Sequence, residues 1–233
     1  MGEYLVFTLS ATVAAMGDLA GHERRGSLAW PGRSAVLGLV GAALGLKRGD
    51  DFSALDALEM GVAVFDDGVP LRDYHTVQTV PSAAVKAPNS RPQALRAAGL
   101  RLNTTITLRD YRVGVLYGVA LWGQDLGHDD LEPLKQALNA PRFTLYLGRK
   151  SCPLSAPPGA AIHSGDTPED ALRHLVLPPW AAHKVARSFV TTAAPGDTHV
   201  ETRHDAPRDR AKWHFAPRQV AYRRVEIQPE GAA

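Results

Sequence analysis

The sequence predicts a mixed α+β fold. Runs with strand-like alternation are interleaved along the chain with stretches whose apolar residues recur at helical spacing. At 233 residues and 45% hydrophobic content the chain can bury a sizeable core, as one large domain or two small ones. No internal repeat and no low-complexity run interrupts it.

Residues Tyr4 to Ala11 read as an opening strand, with Leu5, Phe7 and Leu9 on one face. A Gly-punctuated loop follows, carrying His22, Glu23, Arg24 and Arg25. Pro31-Gly32 leads into a helix from about Arg33 to Leu46, where Val36, Leu37, Val40, Ala43 and Leu44 form one buried stripe. Gly38, Gly41 and Gly45 sit in this helix, and each costs about 1 kcal/mol against Ala. Close approach of the helix backbone, either to a sheet or to a ligand, accounts for such a choice. A short helix is expected around Phe52 to Leu58, then strands over Gly61–Phe65 and Leu71–Val77 joined by a hairpin turn at Asp66-Asp67-Gly68. From Gln78 to Asn103 the periodicity fails and Pro81, Pro88 and Pro92 intervene, which predicts a long, mostly irregular functional element. Thr104–Arg109 and Val113–Trp122 read as strands and Leu131–Leu138 as a helix ending before Pro141. Thr167 is the expected cap of a further helix, with Pro168 in its first position and Glu169 and Asp170 in its first turn. Strand-like pieces near Thr198–Arg203 and Val220–Ile227 flank a loop with Arg208, Arg210, Lys212 and Arg218.

Charge adds the first functional signal. The chain has 26 Lys+Arg against 24 Asp+Glu, yet residues 74–109 contain no acid and carry Lys86, Arg91, Arg96, Arg101 and Arg109. An unopposed basic segment in a balanced chain points either to a polyanion such as nucleic acid or to a solvated loop. The net charge of +2 confines any basic surface to a local patch.

Most catalytic chemistries find no footing. GLVGAALGLKRG lacks the spacing of a phosphate-binding loop or a dinucleotide fingerprint, and no nucleophile elbow occurs. The nine histidines form no His-Glu-x-x-His pair, and the single cysteine, Cys152, cannot build a zinc finger or an internal disulfide. His199 and His204 read as surface residues, and Asp129, Asp130 and Glu132 as acids opening a helix. No metal and no cofactor is expected. The reduced Cys152 fits a cytoplasmic protein. The N-terminus reads as a strand and not a signal peptide, and no membrane span is expected.

Two compact clusters carry binding chemistry. Leu71-Arg72-Asp73-Tyr74-His75-Thr76-Val77-Gln78 combines a stacking plane, an imidazole and hydrogen-bonding side chains, the mixture single-stranded RNA requires, and equally a mixed strand with Tyr74 half buried. The second runs from Pro141 through Arg142, Tyr146 and Gly148-Arg149-Lys150-Ser151 to Leu154. It offers a backbone N–H and a hydroxyl beside two cations, as a phosphate seat or a solvated turn.

These clusters also carry a resemblance. With Tyr4–Phe7, Pro31–Leu46, Asn103-Thr104-Thr105, Val119–Trp122 and Pro217–Val220, in that chain order, they are similar to the CasD family of the type I-E CRISPR Cascade complex, over residues 4–227. The resemblance implies a modified ferredoxin-like, RRM-related domain over residues 1–227, with a protruding thumb at about 78–103. It also implies a smaller C-terminal strand-rich extension and a short tail at 228–233. It implies a non-catalytic subunit that grips the 5′ handle of the CRISPR RNA, caps a filament of CasC backbone subunits and adjoins the large subunit CasA. Target DNA would be met through the assembled complex, by guide pairing. The family's usual Gly-Pro and Trp-Gly are absent from the first loop, here Ala11–Gly17.

The RNA-binding candidates are Arg33, Ser34, Tyr74, His75, Thr76, Gln78, Arg91, Arg96, Arg101, Arg109, Arg142, Tyr146, Arg149, Lys150 and Ser151. Arg33-Ser34 at a helix N-terminus would form an anion seat. Two rival readings stand beside this one. One is an endoribonuclease using Tyr74, His75 and Lys150 on a 2′-OH. The other is a purely architectural interface protein.

Overall fold

The computed structural model describes residues 1–21, 23–210, 212 and 214–230, so His22 lies outside the described residues. In chain order the elements are β1 Gly2–Ala14, β2 Gly17–Ala20, β3 Arg24–Ser27, α1 Arg33–Leu44, α2 Ser53–Asp56, β4 Glu59–Asp66 and β5 Val69–Thr79. There follow α3 Arg91–Ala98, β6 Asn103–Trp122, α4 His128–Asn139, β7 Ala161–Gly165, α5 Pro168–Leu172, β8 Ala186–Thr192, β9 Val200–Asp209 and β10 His214–Ile227.

An antiparallel palm runs β7-β1-β6-β4-β8-β10-β9. Its central strands are buried on both faces, which is why β1 presents an unbroken buried run from Tyr4 to Ala11 where a half-buried strand would alternate. One face packs Leu5, Phe7, Leu9, Tyr117, Val119 and Leu121 against Val36, Leu37 and Val40 of α1 and Leu131 and Leu138 of α4. The other packs Tyr4, Val6, Phe65, Leu116 and Phe189 against Ala171 and Leu172 of α5. Gly61 is required here, since a Cβ on it would lie 2.1 Å from the Phe189 ring.

Several elements fall as the sequence indicates. Thr167 accepts a hydrogen bond from the Asp170 N–H at 3.2 Å and caps α5, and Asp129 and Asp130 stand in the first turn of α4. Other expectations are corrected. The Asp66-Asp67-Gly68 segment is not a hairpin turn. β4 pairs Glu59–Asp66 with Trp122–Leu116, and β5 continues in the same direction, pairing Val69–Thr79 with Val113–Asn103. The segment is an offset along one edge of β6, held by the Gly68 N–H on Asp66 Oδ1 at 2.9 Å, a φ of 70° at Gly68, and Arg112 bonded to Asp67 and to the Gly68 carbonyl. The pieces Thr104–Arg109 and Val113–Trp122 are therefore one 20-residue strand, β6.

The true hairpin is β5–β6, and it forms an arm beyond the palm. β5 is exposed along nearly all its length. The connection at its tip is not irregular throughout: Ser90 caps α3 by accepting from the Gln93 N–H, and Pro92 sits in the first turn. The loop expected around His22–Arg25 contains β2 and β3, and β3 lies parallel to β6 at Leu108 and Arg109. The C-terminal strands β8, β9 and β10 lie at one end of the palm. They extend the palm sheet, because β8 covers the free edge of β4, and most of the expected 204–219 loop is strand. The tail is docked at least as far as Glu230, whose N–H donates to the Arg173 carbonyl at 2.8 Å.

Candidate nucleic-acid interface

A cavity of about 1060 Å³ lies along the outer face of α1. Its floor is Ser34, Ala35, Gly38 and Ala42; its walls come from β3 (Arg25, Gly26), the 143–150 loop and Arg210 after β9. Local chemistry explains the arrangement. Gly45 ends α1 with a φ of 83°, and the last carbonyls of the helix, Ala42 and Ala43, accept from the N–H groups of Phe143 and Arg142. That capping ties the loop to the helix. At its far side Leu147 accepts from the Ala15 N–H at 3.1 Å, and Gly148, at a φ of 91°, lies so close that a Cβ would overlap the Ala15 carbonyl. The three helix glycines thus have different roles. Gly45 is a cap. Gly41 admits Phe52, whose ring would meet a Cβ at 2.5 Å. Gly38 faces the cavity, with nothing within 4 Å of a Cβ.

Guanidinium groups converge on this groove. Arg149 lies 4.5 Å above the Tyr111 ring, and its Nη1 is buried with no acceptor. Arg210 lies 4.1 Å above Phe52 and donates from Nη2 to Asp56 at 2.6 Å, while its Nε is buried and unpaired. Arg109, two residues before Tyr111 on β6, also has a buried, unpaired Nε, but it does not line the groove. A buried N–H without a partner costs about 1–3 kcal/mol.

The structure sorts the sequence candidates. Ser34, Tyr146, Arg149 and Lys150 line the groove. Arg33 does not, and the expected anion seat is corrected. Its side chain is buried and donates to the Asp56 carbonyl at 2.7 Å, and its pKa is lowered by burial and then by Arg218. The N-terminus of α1 already holds an anion, since Asp205 accepts from the Arg33 N–H at 2.8 Å and pairs with Arg218 at 3.0 Å. Arg142 is exposed and packs over Gly45, and Ser151 is exposed beside Cys152; neither lines the groove.

The eight-residue cluster in β5 is divided by strand alternation. Tyr74, Thr76 and Gln78 share one face with Leu108, Ile106 and Thr104, while His75 shares the other with Thr107 and Arg109. Tyr74 is 70% exposed, not half buried. At the tip, Arg91 donates to the Gln78 carbonyl, Arg96 to that of Pro92 and Arg101 to that of Ala97. Among the described residues, none of these three arginines pairs with a carboxylate. The acid-free run coincides with the outer arm, and its inner limit is a clamp in which Asp110 receives Arg72 at 2.7 Å and Arg24 at 2.8 Å. The Arg72 bond, and then Arg24, hold the Asp110 carboxyl below its ordinary range, against the opposing effect of burial.

Arg25, Arg48, Phe143 and Arg210 also line the groove, and sequence reasoning left them out of the site. The charge-rich loops containing Arg25 and Arg210 were visible, but only the pairing of β3 with β6 and of β9 with β10 brings them to α1. Among the described residues no group of His, Cys, Asp and Glu is arranged to hold a metal ion, and no helix is long and apolar enough to cross a membrane.

A family model described as CRISPR-associated protein (Cas_Cas5) matches residues 4–221. The CRISPR system Cascade subunit CasD of Escherichia coli (strain K12) is 34% identical over 185 residues, covering 74% of this chain and 76% of that protein. A solved structure described as a Cas protein superposes with a TM-score of 0.67 at 27% identity, over 99% of this chain and 100% of the other. A chain from a CRISPR RNA-guided surveillance complex superposes with a TM-score of 0.68 at 22% identity, over 96% and 90%, a likeness of fold.

Proposed function

The chain belongs to the CRISPR-associated Cas5 family, with CasD as a relative, and from that premise we propose that it is the RNA-handle-binding subunit of a Cascade surveillance complex of type I-E. In this reading the palm order β7-β1-β6-β4, with α1 and α4 on one face, is the ferredoxin-like, RRM-related core, and the β5–β6 arm is the thumb. The 5′ handle of the CRISPR RNA lies in the groove along α1. The subunit caps the CasC filament, adjoins CasA and meets target DNA through the assembled complex, in the cytoplasm.

One observation carries the RNA assignment: Arg25, Arg149, Lys150 and Arg210 bring cationic side chains together along a single groove. Phosphate oxygens are the usual match for such a cluster of guanidinium and ammonium groups.

The reading is also non-catalytic. Alternation along β5 puts Tyr74 and His75 on opposite faces, so they do not converge on one 2′-OH. The test uses the full chain and RNA containing the repeat. Binding should weaken in Arg149→Ala and Lys150→Ala, and the salt slope should flatten by about 0.7 for each phosphate no longer neutralised. Precursor RNA should stay uncut with or without magnesium. Site-specific cleavage abolished in His75→Ala with binding intact would establish the endoribonuclease instead. RNA binding indifferent to both groove substitutions would leave the architectural role.

A further inference from the structure

We propose that Tyr111, which does not itself line the groove, is a positioning residue that aims the Arg149 guanidinium at the RNA. This rests on the RNA-binding reading and adds to it a residue that acts through another. Tyr111 lies on β6 where the arm leaves the palm, opposite Leu71 of β5. It is half-buried, yet it packs into neither buried cluster of the palm, so the core does not account for an aromatic ring there. Its ring carries the Arg149 guanidinium, with Cζ 4.5 Å from the ring centroid. Arg149 belongs to the groove wall and Tyr111 does not.

The backbone at Arg149 is fixed, but that alone does not fix its side chain. The Leu147 N–H donates to the Cys152 carbonyl and the Cys152 N–H to that of Arg149, both at 2.8 Å, and Gly148 is wedged against Ala15. This tight turn sets where the side chain starts, while an arginine keeps much rotamer freedom beyond its Cβ. Among the described residues no carboxylate pairs with Arg149, and the ring takes that part with a different consequence. A carboxylate would occupy the in-plane N–H groups and cancel the charge. A ring face attracts the cation through its quadrupole and leaves the charge and the N–H edge free for a phosphate. Only Nη1 of Arg149 is turned inward; its Nε–Nη2 edge is neither buried nor bonded. Arg210 is the contrast in the same groove. It lies over Phe52 but also donates to Asp56 at 2.6 Å, so one of its N–H groups is already taken. A side chain held in its binding geometry beforehand loses less freedom when RNA arrives.

The full-length chain is titrated with single-stranded RNA carrying the repeat-derived 5′ segment. Tyr111→Leu should weaken binding about fivefold, which corresponds to about 1 kcal/mol. Tyr111→Phe should bind as wild type does, because the ring face is kept. Phenylalanines with successively more ring fluorines, placed at position 111, should then lose affinity stepwise, because fluorine drains the ring face of negative charge while nearly keeping its shape. In the Arg149→Ala background, itself weaker than wild type, Tyr111→Leu and the fluorinated rings should have no further effect, the non-additivity of two residues acting as one. A ring that merely stabilised the fold would not follow the fluorine series, and a ring that stacked on a base would act in both backgrounds. The proposal is overturned if Tyr111→Leu binds as wild type does, if the fluorine series is flat, or if the ring substitutions weaken binding equally with and without Arg149. Each of those outcomes leaves the RNA-binding reading standing provided Arg149→Ala still loses affinity. Should Tyr111→Leu misfold, the fluorinated series decides alone. If the wild-type chain does not bind the RNA, both fall together.

Discussion

The two halves of β6 belong to different physical regimes. From Val115 to Leu121 the strand is buried between two helical layers, and Tyr117, Val119 and Leu121 have no solvent exposure. From Asn103 to Ile106 it is exposed, with Ile106 at 55%, and its partner β5 carries Val69 and Tyr74 still more open. The inner half is stabilised by burial and tolerates little change of volume. The outer half gains almost nothing from burial and is free to display charge. The acid-free run falls in the second regime. Charge there costs little stability, so the fold itself does not dictate its sign.

The comparison is broken most severely from the palm side. Phe189 is fully buried and fills the space over Gly61. Phe189→Ala should remove about 3–5 kcal/mol of stability, whereas Ile106→Ala on the arm should cost under about 0.5 kcal/mol; urea denaturation compares them directly. The arm should show the reverse profile. Replacing Arg91, Arg96 and Arg101 together by Glu should leave the urea midpoint in place, weaken RNA binding and flatten the salt slope by about 2 if all three touch phosphate. An unchanged slope would mean that these arginines meet protein or solvent. Arg33 tests the boundary between the regimes. As a buried donor to the Asp56 carbonyl it should behave as a palm residue, so Arg33→Ala should cost about 1.5–3 kcal/mol of stability and leave the salt slope intact. A flattened slope with normal stability would restore Arg33 as a phosphate ligand.

What the sequence revealed follows the same division. The palm helices were legible because α1 and α4 bury one face each, and the α5 cap was legible from Thr167-Pro168. Four of the groove residues, Ser34, Tyr146, Arg149 and Lys150, lie in short local motifs that the sequence picks out as binding candidates. What failed was non-local. Asp66-Asp67-Gly68 has the composition of a hairpin turn, and only its pairing with a strand about 50 residues away makes it an offset in one edge. β7 and β8 went unrecognised, β7 because it is short and β8 although the Pro195-Gly196-Asp197 turn follows it closely. Arg33 was misassigned because its sequence neighbours, Gly32 and Ser34, suggest an anion seat, while the anion that fills it, Asp205, comes from the far end of the chain.

The smallest expected effect concerns the clamp where the regimes meet. Asp110 accepts from Arg72 Nε at 2.7 Å and from Arg24 Nε at 2.9 Å, tying β5 and β3 to β6 at the base of the arm. Its carboxyl is held below the ordinary carboxylate range, first by the Arg72 bond and then by Arg24. A carboxylate whose pKa is depressed on folding adds stability above its unfolded value, and that contribution is lost as pH falls through the lower, folded value. The clamp is therefore closed at neutral pH and should open only in acid, below the range where ordinary carboxylates titrate. An NMR titration following the Asp110 carboxyl carbon should show this lowered midpoint, with the Arg72 and Arg24 amide shifts moving in step. Arg72→Gln should return the midpoint most of the way to the ordinary value, and Arg24→Gln should move it less. Both partners are exposed enough for water to screen the pair, so global stability at neutral pH should change little in either variant. A wild-type midpoint at the ordinary carboxylate value would show that the arm is not clamped there, and the sharp boundary between its two regimes would have to lie closer to Arg112, where the strand meets the palm.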